Sequence, residues 1–288
     1  MGLLTPIFSN VFTKLTGQDP HDFRFKQGNV PLSQLHEVVF GFALYLTVVF
    51  SIQHIMKKHN PIRLKWMNFL HNCILCVGSA ILVTLFMEII IPMIYHHGFY
   101  YSICNPASRD PASGIEILYY INYLFKWYEF MDTVYLALKK KKLQFLHVYH
   151  HAFTMILCYV ELDGGAASSW FVICLNIFIH VIMYYYYART SVIKKPVWWK
   201  KYLTTMQIVQ FVLDLFVINF ASYNYFVNKY NINLPVYGQC YSKNNRTALV
   251  SWFLISSYLV LFVDFFIKTY KIKGKKQAAI KSDAKKTN

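Results

Sequence analysis

The chain has 288 residues, of which 56% are hydrophobic and only 15% charged, yet its formal net charge is +16. Soluble domains average about 25% charged residues, so this composition departs from an ordinary soluble domain and argues against a disordered chain. Six Cys in 288 residues are too few for a small disulfide scaffold. The basic surplus fits either a nucleic-acid binder or a membrane protein, and the positions of the basic residues decide between them.

Apolar segments long enough to cross a bilayer occur seven times along the chain. A spanning helix needs about 20 apolar residues to cross about 30 Å of hydrocarbon. We therefore predict an all-α, polytopic membrane protein, in which the second span can end in a short interfacial segment near Pro92. The predicted spans are 36–56, 67–95, 115–138, 143–160, 169–188, 202–222 and 248–267. They define a lumenal N-terminal segment (1–35), a seven-helix domain (36–270) and a basic tail (271–288).

The basic residues collect on one side of the predicted membrane domain. Of the 29 Lys and Arg residues, 21 fall in the loops after the first, third and fifth spans and after the seventh. The positive-inside rule places these segments in the cytosol and the N-terminus in the lumen. Topology thus explains the charge, and we expect no nucleic-acid partner. Lys285 and Lys286 near the C-terminus resemble a dilysine retrieval signal, so we expect the endoplasmic reticulum membrane; a solvated basic tail is the alternative.

The lumenal side carries two features that depend on its oxidising compartment. Cys104 and Cys240 fall in the two longest lumenal loops, and we predict that they form a disulfide. Asn245 begins an Asn-Arg-Thr glycosylation sequon, although it lies close to the seventh span. The remaining cysteines fall within spans and are interpreted as small apolar residues: Cys73, Cys76, Cys158 and Cys174.

Polar residues inside the predicted spans indicate a functional site, because ionisable groups in a bilayer are costly and face the bundle interior. They recur at helical spacing on four consecutive spans. By the rise of a helix, all four runs lie in the cytosolic half of the membrane, which suits a substrate with a polar head and an apolar tail. The runs are Lys126, Glu129, Asp132 and Thr133; His147, His150 and His151; Asn176, His180, Tyr184 and Tyr187; and Thr204, Gln207, Gln210 and Asp214.

Other polar residues of the spans are not assigned to this site. Glu88, Glu116 and Asp264 lie nearer the span ends or lack partners, and we interpret them as structural. Five further histidines fall near other span ends or in loops: His54, His59, His71, His96 and His97.

Three kinds of protein remain compatible with these runs. Three His on one helix face can bind metal, as in di-iron membrane desaturases and hydroxylases, but such enzymes use several His clusters. Acyl transfer is the favoured alternative, because imidazole serves as nucleophile or base near neutral pH and amides such as Asn176 and Gln207 can donate to an oxyanion. A seven-helix transporter or receptor, in which the His residues only pair buried charges, is the third.

Four motifs in this order and spacing resemble the ELO-type very-long-chain fatty acid elongases, most closely the fungal and protist members. The motifs are KWYEFMDT, HVYHH, NIFIHVIMYYYY and TTMQIVQ, and the resemblance covers about residues 30–270. It implies a condensing enzyme of the endoplasmic reticulum, a 3-oxoacyl-CoA synthase, that joins acyl-CoA to malonyl-CoA and releases CO2 and CoA. It also implies seven helices, six of them around a tunnel closed at its lumenal end.

The resemblance also assigns roles to residues. His150 is expected to attack the acyl thioester, with His147 and His151 moving protons and His180 and Asn176 steadying the thioester oxygens; a rival version makes the His residues a general base. The resemblance implies that Glu129 and Asp132 support the histidines. The remaining residues of the motifs are expected to support the site or bind substrate: Lys126, Thr133, Tyr184, Tyr187, Thr204, Gln207 and Gln210.

The remaining expectations concern ligands and partners. We expect no metal and no cofactor beyond the substrates acyl-CoA and malonyl-CoA, whose CoA phosphates suit the cytosolic Lys and Arg residues. Expected partners are the lipid bilayer and the ketoacyl reductase, dehydratase and enoyl reductase of the elongation cycle, and a homo-oligomer is compatible with the sequence. Phe220 or Tyr223 on the sixth span would limit the acyl chain length.

Overall fold

The computed structural model describes residues 2–272, so Lys285 and Lys286 lie outside the described residues. Within that range the chain is helical and contains no strand. A π-helical stretch, Ile267–Ile272, continues the last α-helix. The α-helices are α1 (Leu4–Thr16), α2 (Leu35–Met56), α3 (Lys65–Cys104), α4 (Ile115–Tyr128), α5 (Phe130–Leu138), α6 (Phe145–Gly164), α7 (Ser169–Val192), α8 (Lys200–Lys229) and α9 (Asn245–Phe266).

Five of the described helices are long and apolar enough to cross a membrane, by length and composition: α2, α3, α7, α8 and α9 with its π-helical continuation. The protein is thus a multi-pass membrane protein. Two of the seven predicted spans are not among the five. The 20-residue α6 is made less apolar by His147, His150 and His151, and the predicted third span is divided into two shorter helices.

The third predicted span, 115–138, is broken at Glu129. The chain there stays close to helical, with φ −62° and ψ −17°, but the backbone N–H of Asp132 donates to the Glu129 carbonyl at 3.0 Å. This bond spans three residues instead of four, so the helix tightens locally and α4 and α5 are separated. The break therefore falls within the KWYEFMDT motif.

The interfacial break predicted near Pro92 was placed too early. Helix α3 continues through Pro92, and its non-helical residue is Gly98, with φ 82° and ψ 164°. A positive φ of this kind is readily adopted only by Gly. Proline is tolerated inside membrane helices where neighbouring groups satisfy the freed carbonyl, so Gly98, not Pro92, is where α3 departs from helical geometry.

The helices pack in a closed ring. Contacts run from α3 to α4, α6, α9, α8 and α7 and back to α3, with the most extensive pairing between α3 and α7. Helix α2 lies outside this ring against α5 and α6, and α1 packs on α3. Glu88 of α3, interpreted from the sequence as structural, accepts the backbone N–H groups of Leu4 and Thr5 at 2.8 Å each. The carboxylate thereby caps the start of α1.

The two ends of the ring differ in chemistry. The α2–α3, α5–α6 and α7–α8 loops lie together at what we call the basic end, where Lys140 donates to the carbonyls of Lys57 and His59 at 3.3 and 3.1 Å. At the opposite end, a disulfide between Cys104 and Cys240 ties the end of α3 to the loop between α8 and α9. We call this the disulfide end.

Candidate active site

A cavity of about 440 Å³ opens inside the ring near the basic end; we call it the outer cavity. Side chains from α5, α6, α7, α8 and α9 line it. The four polar runs of the sequence therefore meet at one place, because helical spacing directs each run to one face of its helix. The site residues that line this cavity are Asp132, His147, His150, His151, Asn176, His180, Tyr187, Thr204, Gln207 and Gln210.

A second, narrow cavity of about 40 Å³ lies deeper in the ring, toward the disulfide end; we call it the inner cavity. Its walls are mostly apolar and include Leu157, Ile173 and Ile255. His150 lines both the outer and the inner cavity, as do Asn176, Gln210 and Phe211. The imidazole of His150 thus lies where a polar cavity meets an apolar one.

His150 is held by aromatic packing. Its ring lies 5.0 Å from that of Tyr258 and 5.9 Å from that of Phe262, between centroids. Its side chain makes no hydrogen bond to another residue in the range 2–272. The rings of His147 and His151 are 4.5 Å apart, and those of His150 and His151 are 5.5 Å apart. Since no side chain or backbone group of the described residues engages either nitrogen of His150, both are available to a ligand.

Lys126 organises the polar groups behind the cavity wall. Its Nζ donates to Glu129 Oε1 and to Asn176 Oδ1, each at 2.9 Å, and lies 3.5 Å from His180 Nδ1. Lys126 and Glu129 are buried and do not line the outer cavity. Since the Asn176 oxygen is engaged by Lys126, the amide nitrogen of Asn176 remains as a donor toward the two cavities.

Glu129 connects the α4–α5 break to both His-bearing helices. Its Oε1 lies 3.2 Å from His180 Nδ1 on α7, and its Oε2 lies 3.9 Å from His151 Nδ1 on α6. A carboxylate beside Nδ1 orients an imidazole and favours the tautomer with the proton on that nitrogen. Glu129 therefore acts on the site through the histidines and not by contacting the cavity.

Asp132 is positioned by two groups from other helices. His71 Nε2 on α3 lies 3.0 Å from Asp132 Oδ1, and the hydroxyl of Tyr184 donates to Asp132 Oδ2 at 2.9 Å. Sequence reasoning assigned His71 to a span end and missed this contact. The signal was available, because His71 lies about 9 Å from the start of α3 and His150 about 8 Å from the start of α6.

Thr133 and Tyr184 lie apart from the cavity to which the sequence assigned them. Thr133 forms a hydrogen bond of 2.8 Å with the Tyr45 hydroxyl of α2, on the outside of the ring. Tyr184 is fully buried beside Asp132, whereas Tyr187, one turn further, lines the outer cavity. Thr133 therefore secures α5 to α2, and Tyr184 supports Asp132.

The polar run of α8 points into the ring, but some of its hydrogen-bonding groups are already engaged by other side chains of the protein. Gln210 Nε2 donates at 3.0 Å to Oδ2 of Asp214, a fully buried residue. Gln207 Nε2 lies 3.5 Å from the sulfur of Met183. The Gln210 amide is therefore oriented with its oxygen free to accept from a ligand. Asp214, one turn later on α8, holds it in this orientation.

A third cavity, of about 1050 Å³, lies at the basic end between α3, α5 and α7; we call it the basic cavity. It shares Asp132, His147 and Tyr187 with the outer cavity. Five basic side chains line it: Arg63, Lys65, Lys139, Lys141 and Lys194. Anionic groups bound there would lie next to the histidines.

Two further residues considered in the sequence analysis, Cys158 and Asn245, do not line the outer cavity. Cys158 is buried against the inner cavity, with its sulfur 3.5 Å from Asn122 Nδ2. Asn245 is the first residue of α9, where its amide contacts Tyr225, Lys229 and Tyr230.

The two residues proposed to limit chain length do not line the inner cavity. Phe220 packs against Tyr100 and Tyr237, and Tyr223 is 44% exposed and donates to the Pro235 carbonyl. Neither residue borders the cavity that would receive the acyl chain, and the role of both in chain length stays a prediction.

The donor set of a metal centre is not assembled in the described part of the chain. Among residues 2–272, no three His, Cys, Asp or Glu side chains converge in a way that could hold a metal ion. Glu129, the carboxylate nearest to His151 and His180, is engaged by Lys126 instead. The geometry therefore gives no support to the desaturase alternative.

Comparison with known proteins identifies a family for this chain. The model of the ELO (GNS1/SUR4) family matches residues 30–278. Fatty acid elongase A of Dictyostelium discoideum is 37% identical over 92% of this chain and 92% of its own length. Fatty acid elongase sre1 of the same organism is 34% identical over 89% of this chain and 91% of its own. Very long chain fatty acid elongase 4 of Homo sapiens is 32% identical over 82% and 71%, respectively. The resemblance read from the four motifs is confirmed, and the chain belongs to the ELO family of fatty acid elongases.

Proposed function

We propose that this protein is the condensing enzyme of fatty acid elongation, a very-long-chain 3-oxoacyl-CoA synthase. It would join a long-chain acyl-CoA to malonyl-CoA and release 3-oxoacyl-CoA, CO2 and CoA. The observation that carries the proposal is the position of His150, where a polar cavity meets an apolar one. A thioester is the chemical group that separates a polar carrier from an apolar chain, so it would lie against this imidazole.

The closed ring supports a tunnel for the acyl chain. If α4 with α5 counts as one span and α6 as another, the ring has six spans and α2 is the seventh. The outer and inner cavities would form the tunnel, which must widen as the chain enters because the inner cavity holds only about 40 Å³. By the positive-inside rule, the basic end would face the cytosol and the disulfide end the lumen of the endoplasmic reticulum.

The basic cavity supports binding of the CoA carrier. Its Lys and Arg side chains would pair with phosphates, since charge-assisted hydrogen bonds to phosphate are among the strong ones. Because this cavity meets the outer cavity at Asp132, His147 and Tyr187, a carrier held there would direct its thioester toward the histidines.

In the first step, an unprotonated nitrogen of His150 would attack the acyl carbonyl carbon. The carbon–sulfur bond breaks, the imidazole proton passes to the CoA sulfur, and an acyl-imidazole remains. The amide nitrogen of Asn176 would donate to the oxyanion, because Lys126 engages its oxygen and Asn176 lines the same two cavities as His150. Lys126 thus fixes which end of the amide faces the substrate.

In the second step, malonyl-CoA would replace the departed CoA. Loss of CO2 gives an enolate whose α-carbon attacks the acyl carbonyl, the carbon–nitrogen bond breaks, and the imidazole recovers a proton. His180, oriented by Glu129, is placed to steady the thioester oxygen of the enolate. His147 and His151 lie within one turn of His150 to move the protons.

The test is incubation of purified protein with a labelled acyl-CoA in the absence of malonyl-CoA. The covalent mechanism gives a burst of free CoA close to one equivalent and a protein-bound acyl group, which His150→Gln abolishes. His96→Ala, a change at an exposed histidine outside the site, is the matched control and keeps the burst. Malonyl-CoA is then added to the same samples. Formation of 3-oxoacyl-CoA without any preceding burst or bound acyl group would instead assign the histidines a general-base role, and no 3-oxoacyl-CoA at all would overturn the function.

A further inference from the structure

The inner cavity ends on a polar group that the proposed chemistry does not use. Glu161 of α6 lines the cavity, and its two carboxylate oxygens accept the hydroxyls of Ser169 on α7 and Ser251 on α9. Both serines line the cavity as well and are buried, at 3% and 4% exposure. Three helices of the ring are therefore joined across the deep end of the cavity by one carboxylate.

The protein behind this carboxylate is closely packed. An added Cβ at Gly164, one turn beyond Glu161, would collide with Thr247 of α9, so α6 and α9 touch there. Arg109 supports the same region, because its guanidinium donates to Ser169 Oγ at 3.2 Å and to the Leu162 carbonyl at 3.2 Å. The deep end of the inner cavity is therefore backed by rigid protein.

The distance from His150 to this end is fixed by one helix. Glu161 lies eleven residues after His150 on α6, which corresponds to about 16 Å along the helix. The wall between them is mostly apolar, and each methylene buried there contributes roughly fourfold to affinity. A chain that reaches Glu161 gains nothing further, because the next methylene meets a carboxylate and two hydroxyls that are already hydrogen-bonded to one another.

We propose that Glu161, Ser169 and Ser251 form the floor of the acyl cavity and set the longest acyl chain that the enzyme elongates. This inference rests on the proposed function, since it takes the inner cavity as the acyl site. It replaces Phe220 and Tyr223, which lie outside the cavity, as the residues that determine chain length.

The test measures binding without turnover, with a series of S-alkyl-CoA thioethers of increasing chain length on the full-length protein. In the wild type, affinity rises with each methylene up to a limit and then stops rising. Glu161→Ala removes bulk from the floor and moves the limit to longer chains, whereas Ser251→Leu adds bulk and moves it to shorter ones. The lengths of the 3-oxoacyl-CoA products shift in the same directions.

Two variants serve as controls. Glu161→Gln keeps the size of the side chain and keeps the limit, and Phe220→Ala removes a larger side chain outside the cavity and also keeps it. Where Glu161→Ala does not fold, Ser251→Leu and the milder Ser251→Ala, which moves the limit to longer chains, decide the question.

The outcomes separate this inference from the proposed function. If the wild type elongates acyl-CoA and the floor variants do not move its length limit, the assignment of chain length to the floor is overturned. The proposed function then remains intact. An equal shift with Glu161→Gln and Glu161→Ala overturns the assignment to side-chain bulk. A wild type that neither binds the thioethers nor makes 3-oxoacyl-CoA removes the function, and the floor with it.

Discussion

His71 of α3 lies 3.0 Å from Asp132 of α5, and both residues border the histidine cluster from outside the His-bearing helices. His71 is buried between the rings of Tyr128 and Tyr135, which hold the imidazole in place. Asp132 in turn lines both the outer and the basic cavity. The carboxylate of Asp132 is therefore fixed, by His71 and Tyr184, at the boundary between the proposed carrier site and the histidines.

Removing the groups that hold Asp132 should lower activity without unfolding the protein. We expect His71→Phe and Tyr184→Phe each to cost about 1.5–3 kcal/mol of transition-state stabilisation, the range for hydrogen bonds to charged groups. Steady-state kinetics would show the loss in kcat, with little change in thermal stability. His97→Phe, a change at an exposed ring on the same helix, is the control. If the loss of kcat were accompanied by a clear fall in Tm, the role of these side chains would be purely structural.

The contrast between His71 and the four motif runs shows what the sequence could predict. Residues on one helix are related by spacing, so the runs on α6 and α8 were assigned to one face without a structure. Contacts between helices follow no spacing rule, and His71–Asp132 depends on how α3 packs beside α5. Depth along the helix is the one signal that relates them, and it was applied to His150 but not to His71.

Local backbone changes account for the other differences. The helix is broken at Glu129, and Thr133 of α5 contacts Tyr45 of α2 instead of the cavity that the unbroken helix predicts. The predicted fourth span ended at residue 160, which placed Glu161 outside the membrane segment, whereas α6 continues to Gly164. The apolar runs thus located the helices well, and their ends and kinks, set by tertiary contacts, were the part that the pattern missed.

The disulfide gives a prediction that can be tested without an activity assay. The sequence has six Cys, of which Cys104 and Cys240 are paired. We expect four free thiols in denatured, unreduced protein and six after reduction. The bond closes a separation of 136 residues, so its loss should cost about 2–5 kcal/mol.

Replacing both partners isolates the disulfide from the other cysteines. Cys104→Ser with Cys240→Ser should lower Tm, whereas Cys73→Ser with Cys76→Ser, at two partly buried free thiols, should lower it little. A count of six thiols before reduction would contradict the bond.

Gly164 should tolerate no larger residue, because α6 and α9 are in contact there. We expect Gly164→Ala to cost about 1–3 kcal/mol, since the added Cβ overlaps the side chain of Thr247. Thermal unfolding in detergent measures the loss. Gly164→Ala combined with Thr247→Ala should recover part of it, because the hydroxyl of Thr247 is the first atom the Cβ meets. A double variant as unstable as the sum of its single variants would place the strain elsewhere.

The buried pair of Lys126 and Glu129 should be strongly coupled. Both side chains are 2% exposed and their charged atoms are 2.9 Å apart, so removing one partner leaves the other charge buried and uncompensated. We expect Lys126→Met and Glu129→Gln each to destabilise the protein by about 3–5 kcal/mol. The double variant should cost clearly less than the sum, because it leaves neither charge unpaired.

Activity separates the two roles of this pair. The double variant should regain part of the stability but lacks the donor to Asn176 and the carboxylate beside His180, so its kcat should stay low while its Tm recovers in part. Lys268→Met with Asp264→Asn, at an exposed pair with the same chemistry, is the matched control and should change neither. If the double variant at Lys126 and Glu129 recovered full kcat, the pair would only stabilise the fold, and the orientation of Asn176 and His180 would have to come from the ring itself.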